Sequence, residues 1–419
     1  MKHITLLLLT SVLIACSHQP DIYNTTNQSQ NNEQSHQAPY VLLVSIDGFR
    51  WDYIEKYQPP FLSQFAKNSA SLKSLQPSFP TKTFPNHLSI VTGSYPQHHG
   101  ILNNRFHAPD LNKDYSISDP TAVTNGDFYL RKPIWVMAEE QGMRTASFFW
   151  PGSEAKIFGK KPTYFVNYDH NAPHQPRLDT VVNWFKLSAA RRPHFVTTYF
   201  HDVDSAGHHY GPNSPQVAAA ISKVDSSLQQ LHHELTKLDI AVNIVIVSDH
   251  GMAQHNTGNF ETLPKGLQQQ FFSKGKGPIV HLYHNNKVPS LRQADITQAL
   301  TQLNQQAQHY RCFEYQTIPV KFNAHKSQRI GDITCLANQG WAIGFSEHRI
   351  KGDHGWSQFA SKDMDGIFYA SGPAFKQGYQ HPTTENIHIM PLLAHILGLQ
   401  VTGPIDGKLE QLTPLLIDK

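Results

Sequence analysis

The stretch Tyr40-Val41-Leu42-Leu43-Val44-Ser45-Ile46-Asp47 (residues 40–47) is apolar at nearly every position and then stops at a carboxylate. A continuous apolar run without alternation suits a strand buried on both faces of a parallel sheet. Three more runs share this character: FVTTYF (195–200), VNIVIVS (242–248) and GIFYAS (366–371). Between them lie helical patterns. Val217, Ile221, Val224, Leu228, Leu231, Leu235 and Leu238 recur in alternating steps of four and three, which is one apolar face of a surface helix. A second pattern runs from about Glu385 to Leu397 and stops at Gly398. Strands alternating with helices imply βαβ crossovers. The expected fold class is therefore α/β, a three-layer α/β/α domain with a mostly parallel central sheet over residues 40–419. No Gly-, Ser- or Pro-rich linker divides this part, and residues 255–345, the least regular, are expected to form an inserted cap or subdomain.

The 419 residues carry 35 Lys+Arg against 32 Asp+Glu, a formal charge of +3. That is too small for a surface tracking the phosphates of a nucleic-acid duplex. With 39% apolar and only 16% charged residues, the chain is globular rather than disordered. Its 26 histidines stand out, because imidazole binds zinc and titrates near neutrality.

At the amino terminus, the apolar runs Leu6 to Leu9 and Val12 to Ala15 are together shorter than the ~20 residues a bilayer needs, and residues 1–15 suit a signal peptide. Leu13-Ile14-Ala15-Cys16 has the form of a bacterial lipobox. Cleavage before Cys16 would leave a lipid anchor there and hold the protein in the cell envelope, at the outer membrane; an ordinary signal peptide is the alternative. Residues 16–39, rich in Gln, Asn and Ser, read as a flexible tether. Beyond Cys16 only Cys312 and Cys335 remain, and in an exported chain a disulfide between them is expected, two buried thiols being the alternative. Nothing in the sequence calls for a protein partner.

Three of the strand-like runs end in acids: Asp47, then Asp202 and Asp204, then Asp249 with His250. Functional groups in open α/β sheets gather outside the carboxyl ends of the strands, so these distant residues can converge. A single Asp there is as readily a helix N-cap. A cluster of carboxylates beside a core wants cations. His208 follows Asp204 by one helical turn, and His354 lies in KGDHGW, where Asp353 could support it. Asp47, Asp249 and His250 form one group of ligands; Asp204, His208 and His354 form another. Mixed carboxylate and imidazole sets with an open position favour two Zn²⁺ ions, which together clamp an in-line displacement.

Pro85 marks the first turn of a helix in FPTKTFPNH, and Thr83 is expected just before it, facing the positive end of the helix dipole. There its hydroxyl could serve as a nucleophile, although a plain N-cap threonine reads the same way. Asn104, in GILNN, is an uncharged donor for a non-bridging phosphate oxygen. Lys82 and Arg105 flank these two residues.

The strings VSIDGFRWDY, FPTKTFPNHLSIVTGSYPQHHGI, FFWPGSE, YFHDVDSAGHHYGP, VSDHGM and GDHGW, in this order, closely resemble the ectonucleotide pyrophosphatase/phosphodiesterase family of the alkaline phosphatase superfamily. The resemblance implies an alkaline-phosphatase-like fold, Thr83 as nucleophile and Asn104 as the oxyanion-side donor. It implies one zinc site from Asp47, Thr83, Asp249 and His250 and another from Asp204, His208 and His354. Phe84 and Tyr168 look like the aromatic pair that sandwiches a nucleotide base, with Lys82 as a further substrate contact. Val203 departs from the family, which usually has Pro there. The expected activity is hydrolysis of nucleotide phosphodiester or pyrophosphate bonds through a covalent threonyl intermediate, releasing a nucleoside monophosphate. The rival readings are a lysophospholipid or glycerophosphocholine phosphodiesterase, a phosphomonoesterase of the same superfamily, and a binding protein without turnover.

Overall fold

The computed structural model describes residues 22–24, 30–285 and 288–417. The expected signal peptide (1–15) and Cys16 lie outside the described residues. The central sheet has nine strands: β1 (Ile22–Asn24), β2 (Tyr40–Ile46), β3 (Ala70–Leu72), β4 (Thr145–Phe148), β5 (Tyr164–Val166), β6 (Phe195–Phe200), β7 (Val242–Val247), β8 (Phe368–Ser371) and β9 (Gln380–His381). Their order is β1-β5-β4-β6-β2-β7-β8-β3-β9, and the run from β5 to β7 is parallel throughout. The three-layer α/β expectation holds.

The reason is visible in β2. Its alternate residues face opposite cores: Val41 and Leu43 join helices α1 (Thr83–Thr92) and α5 (Ile389–Leu397), while Leu42, Val44 and Ile46 join α2 (His174–Phe185) and α4 (Pro215–Thr236). A strand apolar on both faces needs a layer on each. Helix α4 buries Val217, Ile221, Val224, Leu228, Leu231 and Leu235 along its expected stripe, and Ser214 caps it through the Val217 amide. Helix α5 is shorter than its sequence pattern, beginning at Ile389 after a 3₁₀ turn and ending at Gly398.

Three expectations need correction. The GIFYAS run forms β8, which is antiparallel to β7, because an apolar run does not record its direction. Residues 255–345 are more regular than they read. They contain a four-stranded antiparallel sheet ordered 271–274, 279–284, 333–337, 310–314, with the helix Pro289–Gln306 packed on it through Ile296, Ala299 and Leu303. Cys312 and Cys335 sit opposite each other in that sheet and are joined as a disulfide. Finally, part of the expected tether is docked. Asn31 Nδ2 donates to the carbonyls of Ala189 (3.0 Å) and Arg192 (2.7 Å), and Asn32 Nδ2 to that of Gln141 (2.8 Å). Amide side chains bonded to backbone fix residues 31 and 32 where apolar burial would not.

Candidate active site

Strands β2, β6 and β7 are adjacent and parallel, so the residues after them emerge on one edge of the sheet. Asp47 follows β2, helix α3 (Asp202–Tyr210) starts after β6, and Asp249 and His250 follow β7. Gly48 lets the first two meet: at φ +67°, any Cβ there would come within 2.9 Å of the Asp204 backbone. A side chain larger than hydrogen would push the two acids apart.

The first expected group is assembled. His250 Nε2 lies 3.4 Å from Asp47 Oδ1, 3.0 Å from Asp249 Oδ2 and 3.4 Å from Thr83 Oγ1. So is the second: His208 Nε2 and His354 Nε2 are 3.4 and 3.6 Å from Asp204 Oδ1 and 3.2 Å from each other. The two groups share a wall, since the His250 and His354 rings stack at 3.6 Å.

The protonation pattern shows what such a cluster accepts. In each of the three histidines Nδ1 faces a backbone carbonyl: Gly251 for His250 (2.8 Å), Gly352 for His208 (2.8 Å) and Thr81 for His354 (2.7 Å). A carbonyl only accepts, so Nδ1 carries a proton and Nε2 is the ring atom turned inward, the one that can offer a lone pair to a cation. Asp47 Oδ1, Asp204 Oδ1 and Asp249 Oδ2 are buried with no hydrogen-bond donor. Carboxylate oxygens without donors gathered beside ring nitrogens fit divalent cations held by N and O ligands, with backbone carbonyls orienting the rings. Burial and the neighbouring carboxylates of Asp249 and Asp204 push Asp47 well above the usual carboxylate range. Burial acts the same way on Asp249, but the His250 and His87 rings outweigh it and hold that carboxyl low.

Thr83 is the first residue of α1, not the residue before it, and Pro85 is the third. The helix is fixed from both sides. Asn86 donates to the carbonyls of Pro80 and Lys82 and accepts from the Ser78 amide, while His87 bridges the Thr83 carbonyl (2.9 Å) and the Ser45 hydroxyl of β2 (2.8 Å). Thr83 Oγ1 thus faces the first group from a helix N-terminus. Asn104 Oδ1 accepts from the Phe84 amide, next in sequence to Thr83, at 3.0 Å, which leaves its Nδ2 as the donor end.

The remaining expected residues are placed as follows. Phe84 is half-buried and meets Tyr115 edge-on at 6.2 Å. Tyr168 is 46% exposed and packs beside Tyr199 at 6.0 Å. Lys82 is turned to Asp353 at 3.1 Å, and Asp353 also accepts from His348 (2.7 Å), so this acid braces the loop of His354 while one of its oxygens lies within 4.8 Å of ring nitrogens of His208 and His354. Asp202 is bonded to His174 and Lys223, outside both groups. Two residues escaped the sequence reading. Tyr199 Oη donates to Asp47 Oδ2 at 2.5 Å, and His87 ties α1 to β2; both lie inside segments that read as plain strand and helix.

Comparison with known proteins bears on the family and the fold. The family described as type I phosphodiesterase/nucleotide pyrophosphatase matches residues 41–357. Human ectonucleotide pyrophosphatase/phosphodiesterase family member 1 is 34% identical over 91% of this chain, which spans 42% of that relative's length. The bovine bis(5'-adenosyl)-triphosphatase ENPP4 is 32% identical over 100% of this chain and 88% of its own. Among solved structures, an inactive form of murine family member 5 in complex with AMP superposes with a TM-score of 0.84 at 28% identity, covering 90% of this chain and 100% of that one. With the family match, these relatives and the shared fold in agreement, the chain belongs to the type I phosphodiesterase/nucleotide pyrophosphatase family.

Proposed function

We propose that the protein hydrolyses phosphodiester or pyrophosphate bonds of nucleotides through a covalent intermediate on Thr83, releasing a nucleoside monophosphate. The observation that carries this reading is the Thr83 hydroxyl at a helix N-terminus, within 3.4 Å of a ring whose lone pair belongs to a buried carboxylate–imidazole cluster. Asp47, Asp249 and His250, with Thr83, would hold one zinc ion, and Asp204, His208 and His354 the other. When bound, such a pair supplies positive charge for the nucleophile and the phosphoryl oxygens. Thr83 Oγ1 attacks phosphorus in line with the leaving oxygen, the bond to that oxygen breaks, and water then cleaves the threonyl ester. Asn104 Nδ2 donates to a non-bridging oxygen in the transition state. Phe84 and Tyr168 receive the base.

A neutral amide as donor favours a diester, with one negative charge, over a monoester with nearly two. The nitrophenyl ester of thymidine monophosphate is expected to be turned over more efficiently than nitrophenyl phosphate; the reverse order rejects the diester preference. Thr83→Ala is expected to abolish turnover while the protein keeps its zinc, by direct metal analysis. Activity surviving that change refutes the threonyl intermediate. We propose also that Cys16 carries a lipid anchor to the cell envelope, on the strength of the Leu13–Cys16 segment, with the mass of the amino-terminal peptide as the test.

A further inference from the structure

The sheet within residues 255–345 and the turn beside it grip one loop of the catalytic edge, residues 100–104, at both ends. At the near end Arg329, buried, donates from Nη1 to the carbonyls of Gly100 (3.0 Å) and Phe128 (2.6 Å). Gly100 is at φ +89°, and a Cβ there would lie 2.8 Å from that guanidinium nitrogen. At the far end Asn103, 4% exposed, meets the fully buried His281 of the strand Ile279–His284.

The hydrogen bonds between them have only one consistent direction. Thr334 Oγ1 donates to the Ile330 carbonyl at 2.6 Å, so its oxygen accepts from His281 Nδ1 at 3.1 Å. His281 Nε2 is then the acceptor, and Asn103 Nδ2 donates to it at 2.9 Å. This turns Asn103 Oδ1 to the Asn104 amide (2.7 Å), and Asn104 Oδ1 in turn accepts from the Phe84 amide (3.0 Å). Every proton in the chain from Thr334 to Phe84 is accounted for. Burial holds the His281 ring well below its ordinary pKa, at about 4, which keeps Nε2 an acceptor through the neutral range.

We propose that His281 and Asn103 are positioning residues for the proposed reaction: the subdomain holds Asn104 so that its Nδ2 faces the phosphoryl oxygen. The inference rests on the reading of Asn104 as the transition-state donor. A histidine in the middle of a β-strand is ordinarily a packing residue. Here a leucine of similar bulk would keep the packing and remove the acceptor, freeing the Asn103 amide to turn.

The test compares the zinc-loaded variants Asn104→Ala, His281→Leu, His281→Gln and Asn103→Ala on the nitrophenyl ester of thymidine monophosphate. Loss of an oxyanion donor costs about 100- to 1000-fold in kcat, and Asn104→Ala is expected in that range with KM little changed. His281→Leu and Asn103→Ala are expected to lower kcat about tenfold or more, again with KM and zinc content held. Added to Asn104→Ala, His281→Leu is expected to cost nothing further, since the two act through one amide. His281→Gln, which can donate to Thr334 and accept from Asn103, is expected to recover most of the rate lost in the leucine variant. If Asn104→Ala keeps full kcat, the donor reading and this inference fall together. If Asn104→Ala loses rate but Asn103→Ala does not, or if the His281→Leu loss adds fully to it, the inference alone is overturned. Should the leucine variant not fold, Asn103→Ala decides the matter.

Discussion

Tyr199 shows how a single hydroxyl can govern a cation site. Its Oη is the donor to Asp47 Oδ2, and the other Asp47 oxygen faces His250. Partners that orient metal-binding side chains are typically worth about 10- to 100-fold in affinity. On the proposed zinc reading, Tyr199→Phe is expected to weaken zinc binding by that factor in competition with a chelator, without unfolding the protein; unchanged affinity would remove the hydroxyl from the account. Away from the site, Asp365 is pushed up to about 6, chiefly by burial, with only the Ser74 hydroxyl and Lys362 opposing. Its ordinary value is about 3.9, so the folded chain holds a proton that the unfolded chain gives up. The stability linked to that proton is complete below about pH 4 and lost as the pH rises through 6. Asp365→Asn should therefore gain roughly 2 to 3 kcal/mol on wild type at pH 8, judged by urea midpoints. No relative gain between pH 4 and pH 8 would contradict the assignment. Residues of these kinds differ in how far they can be read. Asp47, Asp249 and His250 stand at the ends of apolar runs, where an acid has no packing role, and their convergence follows from the topology. Tyr199 and His87 sit among apolar neighbours, and only the coordinates show what their polar tips touch.

Elements depend on contacts made across the fold. The helix Pro60–Asn68 starts with two prolines and has no side-chain cap of its own. Asp225, one of the buried residues of α4, supplies it instead, accepting from the amides of Leu62 (2.7 Å) and Phe61 (3.2 Å). An acid inside an amphipathic pattern reads as solvent-facing, so this cap could not be found from periodicity. Bonds from backbone amides to a buried carboxylate are worth about 1.5 to 3 kcal/mol each. Asp225→Ala is expected to cost about 2 to 4 kcal/mol in denaturant unfolding, and Asp225→Asn less. A cost below about 1 kcal/mol would mean the helix start is satisfied in another way. By contrast α4 itself was legible, because seven apolar positions in register leave little freedom in which face is buried.

The molecule as a whole is a parallel core with two antiparallel strands, β1 and β8, and an antiparallel sheet within residues 255–345. Four strands of the core, β2, β6, β7 and β8, were legible because their runs are almost uniformly apolar, whereas β1, β3, β4, β5 and β9, two to four residues long, are too short to show a pattern. The subdomain was not legible: FFSK and YRCFE are short and half polar, and the helix beside them is rich in glutamine, so neither period stands out. One tie between the two parts, besides the Arg329 grip on Gly100, has the Thr334 hydroxyl at the root of its hydrogen-bond chain, and Thr334 is the immediate neighbour of Cys335. The covalent link between neighbouring strands is therefore a brace for a loop at the catalytic edge. A chain that has collapsed but not yet been oxidised would possess the proposed nucleophile and ligands while lacking rigidity beneath the proposed amide donor. Treatment with a phosphine reductant that spares zinc is expected to slow turnover without emptying the metal sites, and reoxidation to restore it; a rate indifferent to thiol state would uncouple the two. Maturation would then have two stages, folding first and cross-linking second, with full speed arriving only after the second.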